Sequence, residues 1–466
     1  MPLGKVILMT VAVLCLSIFL ISGTMNVAMI IGITLVLAGF EARNPILLKN
    51  LFLLYTFVLF GVAGQYFYPG ETGLLWDMVV FLLAFLFGYS LLARNRRPAP
   101  TSVDAPIAFL KVATIERVMI FYCVTSLCIL AYEVYTFGPG SYFSGAPLVL
   151  AFESYGREGF GLGLLTIAKQ FMAVLNVSLL VLYVSVCSLA GRKIRYPIVV
   201  FMTVVLPVLL LQRSNLALGC LFLFVIVVWD KRPVFSVGVY ARIVVVLLFV
   251  AAVGVGIGLL RDNALKSDSE GVSIALPGIT RVLSGEFTPI VAYKEIKTNI
   301  DYLGYQYGNT ILPTMLYKLV PRSWMPDKPT SSGGFFMEKL YPADAAAGYF
   351  ISTSIFGDMY LNFGFLGVVV FCFLLGAFSA RMDSIFIEHD IGGLPTFLIV
   401  YYYYYVLLRG DLQGSLSLVI LTAAIYLFLR WPLGLLSGTA PKPGSRILPP
   451  LTDSHSGTSL RLTSYD

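Results

Sequence analysis

The sequence is poor in charge. Lys, Arg, Asp and Glu together make up 12% of its 466 residues, about half of the quarter or so that a water-soluble domain uses to cover its surface. Water is therefore not its main solvent. Histidine is scarcer still, with two in the chain, His389 and His455. Neither falls in a segment read below as outward-facing, which argues against a zinc site or a histidine base there. The six cysteines (Cys15, Cys123, Cys128, Cys187, Cys220 and Cys372) all lie in apolar runs without metal-ligand spacing. They read as small buried hydrophobes, neither disulfides nor ligands. No phosphate-binding glycine loop is present, so nothing points to transport driven by ATP. The apolar runs do not alternate with polar residues, which excludes a membrane β-barrel. There is no repeat at solenoid spacing. No metal or cofactor is expected.

What the chain does have is apolar surface. Hydrophobic residues make up 58% of it, and mean hydropathy is +0.85. Runs of about 17–25 apolar residues recur, each long enough to cross a bilayer as a helix. The fold expected is an all-α polytopic membrane protein of about 12 transmembrane helices. Spans are placed near 6–23, 26–42, 51–67, 73–93, 118–136, 170–190, 197–212, 215–229, 241–260, 364–380, 394–408 and 415–430. The first is read as a retained helix because no clean cleavage site follows it.

Short loops set the orientation. Arg43 and Lys49 follow the second span; Arg94, Arg96, Arg97 and Lys111 the fourth; Arg192, Lys193 and Arg195 the sixth; Lys231 and Arg232 the eighth; Arg381 the tenth; Arg430 the twelfth. Every second loop is basic, which assigns these loops and both termini to the cytoplasm. The net charge of +7 belongs to this pattern and does not suggest nucleic acid. The chain then divides into helices one to nine (1–260), a large outward loop (261–363), helices ten to twelve (364–436) and a Pro-, Ser- and Thr-rich tail (437–466) read as disordered in the cytoplasm. Two helices are expected in the large loop, over 282–300 and 307–319, with Ser284 capping the first. A smaller outer loop runs over 138–169.

The informative residues break the orientation rule. Arg213 sits in a very short outer turn, Leu211-Gln212-Arg213-Ser214-Asn215, and Arg409 follows the eleventh span in Leu407-Leu408-Arg409-Gly410-Asp411. One reading is snorkelling towards lipid phosphates. The other is anion binding, because guanidinium offers rigid paired donors to phosphate and never deprotonates. Two such arginines on one face, each in a tight polar turn, favour the second. Arg261 opens the large loop, and Arg281 and Glu286 follow. Arginines with one or two carboxylates suit sugar transfer from a lipid pyrophosphate. The departing anion needs charge stabilisation, and the attacking hydroxyl needs a base. Glu286, Asp358 and Asp411 are candidates, each against the plainer reading of a carboxylate paired with a neighbouring arginine. Asp268-Ser269-Glu270 reads as a solvated turn. Tyr401 to Tyr405 cover every side of a helix, and packing explains them better than sugar stacking.

The loop carries Gly304-Tyr305-Gln306-Tyr307-Gly308-Asn309-Thr310 and then Val320-Pro321-Arg322-Ser323-Trp324-Met325-Pro326-Asp327-Lys328-Pro329. Ser354-Ile355-Phe356-Gly357-Asp358-Met359-Tyr360-Leu361-Asn362-Phe363-Gly364 leads into the next span. This order resembles the Wzy-type oligosaccharide repeat unit polymerases, or O-antigen polymerases, over about 110 residues. Arg409-Gly410-Asp411 is similar to a late arginine turn of that family. The resemblance implies a fold like the C-type membrane glycosyltransferases, with the large loop periplasmic and the protein in the bacterial inner membrane. It implies transfer of a growing chain from one undecaprenyl pyrophosphate to the non-reducing end of the next lipid-linked oligosaccharide, without metal or nucleotide sugar.

Carried onto this chain, the resemblance implies that Arg213, Arg281 and Arg409 hold pyrophosphate and that Asp358 is a carboxylate of the reaction, beside Glu286 from the reading above. Asp358 stands where the family often has glutamate. Arg261, Tyr307, Asn309, Arg322, Lys328, Tyr360 and Asp411 are then the candidate substrate contacts. Membrane lipid is a partner, and a chain-length regulator and a flippase are candidate partners. Pro313, Pro321, Pro326 and Pro329 stiffen the loop, and Gly333-Gly334 is read as its hinge over a groove open to lipid. The competing readings are an O-antigen ligase, which as a family depends on a loop histidine absent here, a flippase or transporter of lipid-linked sugars, and a scaffolding membrane protein.

Overall fold

The computed structural model describes residues 27–41, 44–93, 110–140, 160–210, 213–231, 278–317, 330–346 and 351–436. Every secondary-structure element among them is a helix. Backbone groups in hydrocarbon have no water to bond, and a helix satisfies them within one segment. Among the described residues, six helices are long and apolar enough to cross a membrane: Leu48–Phe67, Thr72–Ala93, Val112–Thr136, Phe171–Leu189, Ser354–Ile387 and Leu412–Arg430. Val27–Gly39 and Tyr196–Leu209 are shorter apolar helices. Arg213–Lys231 and Leu394–Arg409 complete the set that falls on expected spans. The expected spans near 6–23 and 241–260 and the tail 437–466 lie outside the described residues.

Thr72–Ala93 and Ser354–Ile387 form the most extensive helix pair. Glycine makes it possible. A Cβ on Gly88 would stand 2.0 Å from the Phe373 carbonyl oxygen, and one on Gly376 would stand 2.1 Å from that of Phe85. Without side chains there, the two backbones touch directly, the usual device of helices packed in lipid. Around the seam, Phe52 stacks on Phe85 at 3.9 Å, and Phe60, Phe81 and Phe356 meet edge or face within 5.6 Å. These rings are fully or almost fully buried.

The helices meet in two polar ends. At one, Asp383 accepts the backbone N–H groups of Leu48 (2.8 Å) and Lys49 (3.2 Å), capping the helix that begins there. His389 stacks on Trp229 at 3.9 Å, Tyr196 donates to Asp230 at 2.7 Å, and Arg195 pairs with Glu116 at 3.1 Å. Lys49, Lys111, Arg192, Lys193, Arg195, Lys231 and Arg381 all belong to this end. The loops that the charge pattern groups together are thus neighbours in space.

The other end carries the described part of the large loop. Helix Gly278–Thr298 packs against Ser354–Ile387. It begins upstream of Ser284, so that residue is interior and the expected cap is corrected. Tyr293 and Lys297 both donate to Asp77, and Lys294 pairs with Glu71. Burial, and then the Asp77 carboxylate, push the Tyr293 phenol well above its ordinary range, so it stays protonated and donates. The second expected helix starts later than 307: residues 304–311 form no helix, and the described helical residues are Leu312–Tyr317. Gly333 and Gly334 lie in the first turn of helix Ser332–Leu340, where Ser331 Oγ caps the Gly334 N–H. Two glycines inside a capped helix do not form the expected hinge. Asp77→Asn weakens both contacts that anchor the loop helix, with an expected loss of roughly 1–3 kcal/mol. Faster proteolysis between residues 278 and 317 checks it, with cleavage elsewhere unchanged.

Candidate functional site

The long helix breaks where loop and membrane region meet. Gly364 has φ +69° and ψ −168° inside Ser354–Ile387, a conformation open to glycine and costly for other residues. The break frees the carbonyls of Leu361 and Asn362, which would otherwise bond within the helix. The loop satisfies them: Gln306 N donates to Leu361 O at 3.0 Å and Tyr307 N to Asn362 O at 3.1 Å. Burying polar backbone demands such partners.

Beside this docking point lies a closed polar ring. Asn362 Oδ1 accepts the Gly308 N–H at 2.9 Å, and its Nδ2 donates to Thr310 Oγ1 at 2.9 Å. Thr310 shares a hydrogen bond with Ser332 at 2.8 Å, and Ser332 donates to Asp358 Oδ1. Asp358 Oδ2 accepts the Leu412 N–H at 2.8 Å. Asp358, Asn362 and Ser332 are fully buried. The ring ties the 304–310 turn, helix Ser332–Leu340, helix Ser354–Ile387 and the start of Leu412–Leu436 to one carboxylate.

That carboxylate also holds the arginine turn. Ser352 Oγ donates to the Arg409 carbonyl at 2.7 Å. Asp411 Oδ1 accepts Thr353 Oγ1 at 2.9 Å, and Oδ2 accepts Gln413 Nε2 at 3.2 Å. Gly410 fits where a Cβ would lie 2.7 Å from the Val406 carbonyl oxygen. Arg409 itself is half-buried. Of the carboxylates read as bases, Asp358 and Asp411 are therefore occupied by donors and buried in this conformation.

Arg213 opens helix Arg213–Lys231, which runs antiparallel to Leu394–Arg409. Trp229 lies near Phe386, Phe386 packs on Phe397, and Phe222 meets Tyr402 edge-on at 5.4 Å. At 1.5 Å rise per residue, Arg213 and Arg409 lie about 13 Å and about 10 Å along their helices from that Phe222–Tyr402 contact, in the same direction. Both arginines belong to the end that carries the loop. Below them is a small cavity of about 30 Å³, room for about one or two water molecules. Its polar lining is Tyr122, Ser126, Asn176, Thr203, Asn215 and Tyr402, and Leu210 and Asn215 bring its wall up to the Arg213 turn. Among the described residues, no charged side chain lines it. Asn176 Nδ2 donates to the Met202 carbonyl at 3.0 Å, while its buried Oδ1 has no partner among the described residues.

The remaining candidates divide three ways. Arg281 and Glu286 lie in the first half of helix Gly278–Thr298, with side chains outside the described residues, as is that of Arg213. Arg261, Arg322 and Lys328, with Pro321, Pro326 and Pro329, lie wholly outside them. Tyr360 is buried edge-on to Tyr293 at 5.7 Å. Tyr307 and Asn309 are exposed. The tyrosine run packs: Tyr401 to Tyr404 are buried, Tyr404 bonds Ser379 and Tyr403 bonds Thr422, both at 2.8 Å. Sequence reading passed over Asn362, Ser332, Thr310 and Asp77. The signal for Asp77 is a lone charge early in an apolar run, and for Asn362 an amide just before one.

Comparison of the chain with protein-family models, with curated proteins and with solved structures finds no match.

Proposed function

We propose that this protein polymerises undecaprenyl-pyrophosphate-linked oligosaccharide repeat units at the periplasmic face of a bacterial inner membrane. The observation that carries the reading is the pair Arg213 and Arg409 at one level of one end, among apolar helices. The opposite end gathers the basic loops and, by the positive-inside rule, faces the cytoplasm. That leaves the arginines and the loop in the periplasm, with about twelve spans once 6–23 and 241–260 are counted.

In the reaction, a hydroxyl oxygen of the acceptor sugar attacks the anomeric carbon of the growing chain. The anomeric carbon–oxygen bond to pyrophosphate breaks, and its electron pair leaves with the phosphate. Arg213 and Arg409, joined by Arg281, stabilise that charge as it develops. The hydroxyl proton passes to a carboxylate. Asp358 and Asp411 are engaged in holding the arginine turn, which leaves Glu286 as the base. The product is O-antigen, capsule or exopolysaccharide.

Arg213→Ala and Arg409→Ala are each expected to slow chain extension about 10²- to 10³-fold. The test is a gel of surface and lipid-linked glycans from cells lacking the gene, or carrying wild type or either variant. The expected result is single repeat units at the surface and no ladder in all but the wild type. Long chains kept on the lipid carrier would identify a ligase instead, and single units held inside a flippase; either overturns the proposal.

A further inference from the structure

Three tyrosines at the loop–membrane junction take no part in the bond-making step above, although Tyr307 is among the expected substrate contacts. Tyr302 is 69% exposed, Tyr305 43% and Tyr307 75%. The backbone fixes where they stand. Tyr307 has φ +48°, a left-handed conformation that is costly for a non-glycine residue. Its N–H to Asn362 O, and the next residue's N–H to Asn362 Oδ1, hold it there. Tyr305 lies against the break at Gly364, where a Cβ would meet its ring at 3.2 Å. The Tyr305 and Tyr307 rings stand 6.2 Å apart, tilted by 60°.

Beside them stands an exposed carboxylate, Asp301, next in sequence to Tyr302 and within the electrostatic neighbourhood of Tyr360, as is Tyr305. No cation pairs with Asp301 among the described residues. Exposed Asn309 adds an amide. Below the turn, Phe363 (48%) and Leu366 (72%) present an apolar flank.

A ring of tyrosines at a membrane border is often an anchor among headgroups. Two observations point elsewhere. An anchor does not need a ring held in a strained backbone, and a carboxylate beside the rings, with no cation partner among the described residues, repels anionic headgroups. Aromatic faces with a carboxylate and an amide are the chemistry that takes a pyranose: rings against its C–H face, acceptors for its hydroxyls.

We propose that Tyr302, Tyr305 and Tyr307 with Asp301 form a binding platform for an uncharged pyranose of the lipid-linked oligosaccharide, whose lipid tail lies along the Phe363 and Leu366 flank. This rests on the polymerase reading for its ligand and adds a sugar subsite apart from the arginines.

The experiment uses the full chain in nanodiscs. The probe is the free oligosaccharide released by mild acid from the lipid-linked pool of the producing cells, followed by saturation-transfer NMR. Tyr307→Gly removes the ring while supplying the residue that this backbone prefers, and an unchanged melting temperature verifies the fold. Wild type is expected to transfer saturation to sugar C–H protons. Tyr307→Gly is expected to bind about tenfold more weakly, and Asp301→Asn to lose contrast at the hydroxyl-bearing positions. No transfer with wild type, or equal binding by Tyr307→Gly, overturns the platform. Equal sugar binding with a shallower position in bilayer-depth quenching identifies a lipid anchor, and also overturns it. If deleting the gene leaves the glycan ladder intact while Tyr307-dependent binding persists, the polymerase reading fails and the platform stands.

Discussion

Asp358→Ala is expected to release the loop and the arginine turn together. Two donors lose their acceptor at once: the Ser332 hydroxyl and the Leu412 N–H. Each buried donor left unsatisfied costs about 1–3 kcal/mol, so a loss of roughly 3–5 kcal/mol is expected once partial relaxation is allowed. A fall in melting temperature of the detergent-solubilised protein, with new protease sites in 304–346, checks it. Asp358→Asn separates structure from chemistry. It keeps an acceptor for Leu412 and costs less stability. A folded Asp358→Asn protein that still extends chains identifies Asp358 as a structural tie. One that melts like wild type yet makes no polymer makes it the base.

Gly88→Val and Gly376→Val are expected to separate the central helix pair. A Cβ at either position would lie about 2 Å from a carbonyl oxygen of the facing helix, and backbone cannot rotate away as a side chain can. Overpacking of this kind costs about 1–3 kcal/mol when the neighbours can shift and more when they cannot. Both variants should fail to accumulate or should elute as aggregates in fluorescence-detected size exclusion. Gly73→Ala is the control: nothing lies within 4 Å of its Cβ. In a helix, alanine there should be neutral or stabilising by up to about 1 kcal/mol. Equal damage from all three would show that the seam is not where the backbones meet.

The helices were legible because lipid-facing helices are written as continuous apolar runs, and the phase of Lys49, Lys111, Arg195 and Lys231 placed their loops at one end. The start of the long helix was not. Hydropathy begins it at Gly364, whereas the helix begins at Ser354. Asp358 and Asn362 lower the apolar signal there, and only the loop residues Thr310 and Ser332 make their burial tolerable. Long-range partners of that kind leave no local periodicity. The same holds for Asp77, whose meaning depends on Tyr293 and Lys297 more than two hundred positions away. Arg213 and Arg409 stood out for the opposite reason, since each violates a charge rule that can be checked within one turn.

The most direct measurement is reconstitution. The purified protein would be placed in liposomes with lipid-linked repeat units and nothing else. The account predicts a ladder of lipid-linked oligomers, one carrier pyrophosphate released per bond formed, and loss of both products with Arg213→Ala or Arg409→Ala. Single units that persist unchanged in the presence of folded wild-type protein would contradict it.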